Sequence, residues 1–226
     1  MGTRIAARFP HLPKALVPVN GRPFLEWQFD WLKANGVSSV LLAAGHKADV
    51  LEAYLAARPP DALSIALSRE PTPLGTGGAL KFVEPLLSTD PVLVFNGDSL
   101  APNLVLSSLW KSSGALLPAP DASRAHLFVA PIQEAGRFGT VEFAPDGLVA
   151  AFREKASRSA GFVNAGVYLL PRDVVAAIPP GRPVSIETEI FPALAAQQKL
   201  VAIPAPPPLL DMGTPDGLAA MEAHLA

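Results

Sequence analysis

Val92-Leu93-Val94-Phe95-Asn96-Gly97-Asp98 is a run of apolar residues that breaks into a turn and a carboxylate. Such a run, closed by Asn-Gly-Asp, reads as a buried strand with an acid at its C-terminal tip. Working outward, residues 79–87 have helical spacing, 64–67 read as a strand, Ala48–Ala57 as a helix and 37–43 as another buried strand. Before them, Phe24, Trp27, Phe29, Trp31 and Leu32 recur at mainly helical spacing over 24–35, and Gly36 supplies a stop. This alternation implies an α/β fold built on a parallel sheet with right-handed crossovers.

Beyond Asp98 the pattern changes. A helix is expected over 103–111, followed by closely spaced strands at 126–132, Thr140–Phe143, Val149–Arg153 and 163–170, with Pro145-Asp146-Gly147 as a turn. Helical patterns return at 186–197 and at the C-terminus, where Thr214 can cap, Pro215 fits a first turn and the helix runs to Leu225. No repeat or linker interrupts the 226 residues, so a single domain spanning 1–226 is expected.

Composition removes several classes of function. With no Cys there are no disulfides, thiolate zinc sites or cysteine nucleophiles, and any metal ligands are oxygens. The His residues, His11, His46, His126 and His224, are scattered without paired helical spacing. A net charge of −2 argues against a broad nucleic-acid surface, although a small phosphorylated ligand needs only a few well-placed cations. Mean hydropathy is high at +0.30, yet no stretch reaches the ~20 apolar residues of a membrane span. No leader pattern is visible either, so a soluble, cytoplasmic protein is expected.

Several short stretches could carry chemistry. Asp98 sits at the tip of a strand, where open α/β sheets bind ligands, although a turn or cap role is equally open from spacing alone. Asp211, in Leu209-Leu210-Asp211-Met212-Gly213-Thr214-Pro215, lies between an apolar pair and a helix start. Two such acids on neighbouring strand ends could hold one Mg²⁺, which keeps some waters and shares substrate phosphate oxygens. Pro73-Leu74-Gly75-Thr76-Gly77-Gly78 joins strand to helix without a full dinucleotide fingerprint or Walker lysine, so an ordinary turn and a base-binding backbone both remain open. Leu41-Leu42-Ala43-Ala44-Gly45 reads as a plain strand and turn. Phe152-Arg153-Glu154-Lys155 and Asn164-Ala165-Gly166 carry groups suited to sugar hydroxyls and phosphate, or to a solvated turn.

In order along the chain, Gly2-Thr3-Arg4, Pro13-Lys14, Glu70 with Pro73-Leu74-Gly75-Thr76, Asn96-Gly97-Asp98, Glu154-Lys155, Asn164-Ala165-Gly166 and Asp211-Met212-Gly213-Thr214-Pro215 resemble the sugar-1-phosphate nucleotidylyltransferases. Val19-Asn20-Gly21-Arg22-Pro23-Phe24-Leu25-Glu26 and the compact length look most like the branch that guanylylates heptose 1-phosphates. The resemblance implies a Rossmann-like, mostly parallel sheet flanked by helices. It also implies attack of a sugar phosphate oxygen on the α-phosphorus of a nucleoside triphosphate, GTP favoured, with release of pyrophosphate.

By the same resemblance Asp98 and Asp211 hold Mg²⁺, Arg4 steadies the triphosphate and Lys14 contacts phosphate oxygens. Glu70, Gly75 and Thr76 fall on the nucleotide side, and Gly139, Glu154, Lys155 and Asn164 on the sugar-phosphate side. Family members carry an apolar first strand and a glycine turn before Gly-Thr-Arg, and Met1 stands there in this sequence. The expectation is therefore a fold lacking its first strand and a reading frame that extends upstream. Transfer of another base to another phosphorylated substrate, or a binding homologue with impaired catalysis, are the competing readings.

Overall fold

A computed structural model describes residues 3–106, 123–133, 139–153 and 160–226. Contacts divide the chain into two compact units, Met1–Pro73 with Gly97–Pro102 and Leu210–Ala226, and Leu74–Asn96 with Asn103–Leu209.

The first unit opens with α1 (Thr3–Arg8), which takes in Thr3 and Arg4 of the Gly-Thr-Arg motif. Asn20 and Gly21, at φ 51° and 76°, then turn β1 (Pro18–Val19) back on β2 (Arg22–Pro23). An Asn-Gly pair suits this tight hairpin because both positions need positive φ. α2 (Phe24–Ala34) follows, burying Phe24, Leu25, Phe29 and Leu32, the periodicity visible in the sequence. β3 (Ser39–Ala44), α3 (Ala48–Ala57) and β4 (Ser64–Arg69) form the expected parallel unit, Ser39 to Ala44 pairing in register with Ser64 to Arg69. These strands are half-buried instead of buried. Val40, Leu42, Ile65 and Leu67 pack on a core of Leu16, Leu25, Phe29, Ala48 and Leu51, while Ala43 on the other face is exposed.

In the second unit α4 (Gly75–Val83) leads to β5 (Val92–Phe95). The chain then re-enters the first unit for β6 (Ser99–Leu100). Back in the second unit come β7 (Ala125–Ile132), β8 (Thr140–Phe143), β9 (Val149–Arg153), β10 (Gly161–Leu170), α5 (Arg172–Ala176), α6 (Phe191–Ala196) and β11 (Leu200–Pro204). The first unit closes with β12 (Leu210–Asp211) and α7 (Pro215–His224). Thr214 caps α7 as expected, its hydroxyl accepting Gly217 N–H at 3.1 Å.

The sheet of the second unit runs β11-β7-β10-β8-β9, with β5 also on β10. Here the expected mostly parallel arrangement becomes mixed: β11 and β7 are parallel, whereas β10 runs antiparallel to β5, β7 and β8. Short connections such as Ala144 to Leu148, closed around Pro145-Asp146-Gly147, leave room only for hairpins, and a hairpin reverses strand direction. α6 packs on this sheet through Phe191, which meets Tyr168 edge-on at 4.9 Å and stacks on Phe152 at 6.4 Å. The helix expected over 103–111 lies largely outside the described residues. No helix among the described residues is long and apolar enough to cross a membrane.

Candidate active site

Of the two acids that spacing could only suggest, Asp211 lies in β12 and Asp98 directly precedes its partner strand β6. β6 and β12 pair antiparallel, with Leu210 opposite Leu100 and Asp211 opposite Ser99, and Met212 N–H donates to the Asp98 carbonyl at 3.1 Å. Leu100 and Leu210 point into a core with Ile5, Val17, Val19, Phe24, Met212, Leu218 and Met221. Strand alternation therefore turns Asp211 and Ser99 to the opposite face. Asp211 Oδ1 accepts Gly213 N–H at 3.1 Å, which fixes the carboxylate at the mouth of the α7 cap.

Lys14 joins this pair. Buried Pro13 opens a single helical turn, Lys14–Leu16, which places the Lys14 ammonium 2.6 Å from Asp98 Oδ2. Both side chains are about a third exposed, at 33% and 28%, so the pair is reachable by solvent and solute. The Lys14–Asp98 ion pair and, across the ladder, Asp211 offer oxygen and nitrogen groups only. That donor set suits a hard divalent ion, which takes two carboxylates and fills its remaining positions with water and phosphate. Among the described residues no three acidic or His side chains converge as a closed cage. Arg4 lies in α1, and its side chain is outside the described positions.

Glu70 continues β4, its N–H donating to Ala44 O at 2.8 Å. Its carboxylate lies against Gly45, where a Cβ would stand 3.4 Å from Oε2. Glu70 also lines an open cleft of about 460 Å³ with His46, Lys47, Arg69 and Thr72. Lys47 shapes one wall of it: the residue is left-handed at φ 57°, and its ammonium donates to the carbonyls of Pro10 and Leu12.

Gly75 and Thr76 belong to the second unit, at the start of α4. Their glycine turn is filled by protein. Gly77 and Gly78 donate to Val184 O at 2.9 and 3.2 Å, and Val184 N–H returns to Leu74 O at 2.8 Å. Thr76 Oγ1 donates to Glu187 at 2.7 Å and accepts Ile186 N–H at 2.9 Å. The side-chain chemistry of Thr76 is thus spent on segment 184–187, a partner that spacing along the sequence gave no means of finding.

Asn164 sits on a β-bulge of β10. Its Oδ1 accepts Gly166 N–H at 2.8 Å and its amide donates to Tyr168 Oη at 2.9 Å. Tyr168 Oη donates to Asn96 Oδ1 at 3.3 Å, and the carbonyl of Gly166, a residue at φ +72°, accepts Asn96 N–H at 2.8 Å. Tyr168 is a polar partner of Asn164 that the sequence reading did not single out, and it links Asn164 to Asn96. Gly139 is exposed just before β8, and Glu154 and Lys155 lie outside the described residues.

A family model for nucleotidyl transferases matches residues 2–226. The chain belongs to the nucleotidyl transferase family. It is 31% identical to the D-glycero-alpha-D-manno-heptose 1-phosphate guanylyltransferase of Aneurinibacillus thermoaerophilus, over 96% of this chain and 90% of that protein. It is 34% identical to the mannose-1-phosphate guanylyltransferase of Mycobacterium tuberculosis, over 99% of this chain and 62% of that one. Among solved structures, HddC from Yersinia pseudotuberculosis superposes with a TM-score of 0.83 at 24% identity, covering 96% of this chain and 91% of that one, and has also been seen with GMP-PN. The expected family and the α/β fold, a central sheet flanked by helices, are therefore both borne out.

Proposed function

We propose that this nucleotidyl transferase moves a guanylyl group from GTP to a heptose or mannose 1-phosphate and releases pyrophosphate. The observation that supports the reading is the Lys14–Asp98 ion pair beside the β6/β12 ladder, on which Asp211 pairs with Ser99. Guanylyl transfer is favoured because both curated relatives described above are guanylyltransferases, one for a heptose and one for a mannose phosphate.

In the reaction a phosphate oxygen of the sugar 1-phosphate forms a bond to the α-phosphorus. The bond from that phosphorus to the bridging oxygen of pyrophosphate breaks, and pyrophosphate leaves with the electron pair. No protein nucleophile is needed, so the chain contributes position and charge. Asp98 and Asp211 would hold Mg²⁺, which when bound offsets phosphate charge around the reacting centre. Lys14 would exchange its carboxylate partner for phosphate oxygens, and Arg4 would steady the leaving pyrophosphate. Glu70, Gly75 and Thr76 are assigned to the nucleotide side, Thr76 through its hold on segment 184–187. Gly139, Glu154, Lys155 and Asn164 are assigned to the sugar-phosphate side, with Asn164 oriented by Tyr168.

Pyrophosphate release over a panel of nucleoside triphosphates and sugar 1-phosphates tests this. The fastest turnover is expected with GTP and a heptose or mannose 1-phosphate, and only with a divalent ion. Asp98→Asn and Asp211→Asn should each lower kcat by about 100-fold or more, the equivalent of several kcal/mol of lost charge stabilisation. Wild-type rates in either variant refute the assignment of the carboxylates.

A further inference from the structure

Gln28 is buried at 8% exposure on α2, among Leu25, Phe29 and Leu32 on the same buried face. A primary amide in such surroundings is retained only where its hydrogen bonds are made. Its Nε2 donates to the carbonyl of Ser99 at 2.9 Å, across 71 positions of sequence. Ser99 follows Asp98 directly and is the register partner of Asp211. The Ser99 carbonyl that Gln28 grips thus belongs to the residue flanked by Asp98 in the chain and by Asp211 across the ladder.

That placement matters because β6 and β12 are two residues each. A ladder this short has little stability of its own and takes its geometry from what it is docked against. α2 is a suitable anchor: eleven residues long, with Phe24 and Phe29 fully buried.

We propose that Gln28 is a positioning residue whose amide fixes the β6/β12 ladder, and with it the separation of the Asp98 and Asp211 carboxylates that a divalent ion and its nucleotide require. This rests on the reading of those carboxylates as the ion's ligands. Groups that hold ligand-bearing backbone in place without touching the ion affect affinity almost as strongly as the ligands' own hydrogen-bonding partners do.

The test uses the full chain as wild type, Gln28→Met, Gln28→Asn and Asp98→Asn. Methionine keeps the volume and loses the donor, and asparagine keeps the amide one methylene short of Ser99. Mn²⁺ binding is followed by electron paramagnetic resonance in the presence of GTP without sugar phosphate, alongside kcat, KM and the melting temperature. Both Gln28 variants should remain folded, bind Mn²⁺ about 10-fold more weakly, and lose kcat by a similar factor while KM for the sugar phosphate moves by less than about twofold. A merely structural amide would lower the melting temperature and leave ion affinity of the folded protein unchanged. If both Gln28 variants bind Mn²⁺ like wild type while Asp98→Asn does not, the inference is overturned and the carboxylate assignment stands. If Asp98→Asn also binds like wild type, the assignment itself falls, and the role of Gln28 with it.

Discussion

Gly75→Ala isolates what the glycine turn at α4 is for. Gly75 has φ +70°, and a Cβ built there would lie 2.6 Å from the Val184 carbonyl oxygen. The backbone conformation alone costs an alanine about 1 kcal/mol relative to glycine. The contact adds more, because the obstructing atom is backbone, held by hydrogen bonds from Gly77 and Gly78, and it cannot rotate away. Overpacking of that kind typically costs about 1–3 kcal/mol, giving a total of about 2–4 kcal/mol. Gly181→Ala is the internal control: the same unit, φ +74°, and nothing within 4 Å of its notional Cβ. It should lose only the conformational part, about 1 kcal/mol. For a chain of this length each kcal/mol shifts the melting temperature by about 2–4 °C, so calorimetry should place Gly75→Ala well below Gly181→Ala. Equal melting temperatures for the two variants would refute the close approach of Val184, and with it the claim that protein, not ligand, fills the turn.

Two further outcomes follow from charged groups in the first unit. Arg58 and Lys33, with the Leu63 N–H, hold the Asp61 carboxyl well below the usual carboxylate range. A depressed folded value contributes stability above the unfolded value and loses it as pH falls toward the folded one. Melting temperature should therefore decline between about pH 4 and pH 2, and Asp61→Asn should flatten that limb; an unchanged acid limb contradicts the assignment. Under the proposed assignment a divalent ion would compete with Lys14, which holds Asp98 Oδ2 at 2.6 Å. Lys14→Met should accordingly tighten Mn²⁺ binding without nucleotide by about 2–5-fold, a modest gain for a partly exposed pair, while lowering turnover. Weaker Mn²⁺ binding in that variant would show that the two do not compete.

What the sequence revealed and what it hid have physical causes. Periodicity found α2 and α3 to within a residue, because an apolar face at helical spacing records burial directly. Strand existence was equally legible at β5 and β9, but strand pairing was not: the alternation of β10 does not say that its neighbours are β5, β7 and β8. β6 and β12, at two residues each, are too short for any period to register, although both carry site residues or adjoin them. Gln28 was hidden for a related reason. A glutamine within an amphipathic helix looks like a surface residue until the carbonyl it serves, 71 positions away, is brought to it.

Three of the motifs that could be read share one placement. The chain passes between its two units after Pro73, Asn96, Pro102 and Leu209, and three of these four steps fall inside Pro73-Leu74-Gly75, Asn96-Gly97-Asp98 and Leu209-Leu210-Asp211. A crossing leaves regular structure, so it exposes backbone groups that need glycine conformations or polar side chains to settle them. The same requirements produce the glycine and carboxylate signatures by which the family was recognised. Residues between crossings, such as Thr76 and Asn164, are fixed by partners from distant segments, Glu187 and Tyr168. At those three motifs the path of the chain itself calls for glycine and polar side chains, and a supporting contact such as that of Gln28 with Ser99 reaches them from a distant segment.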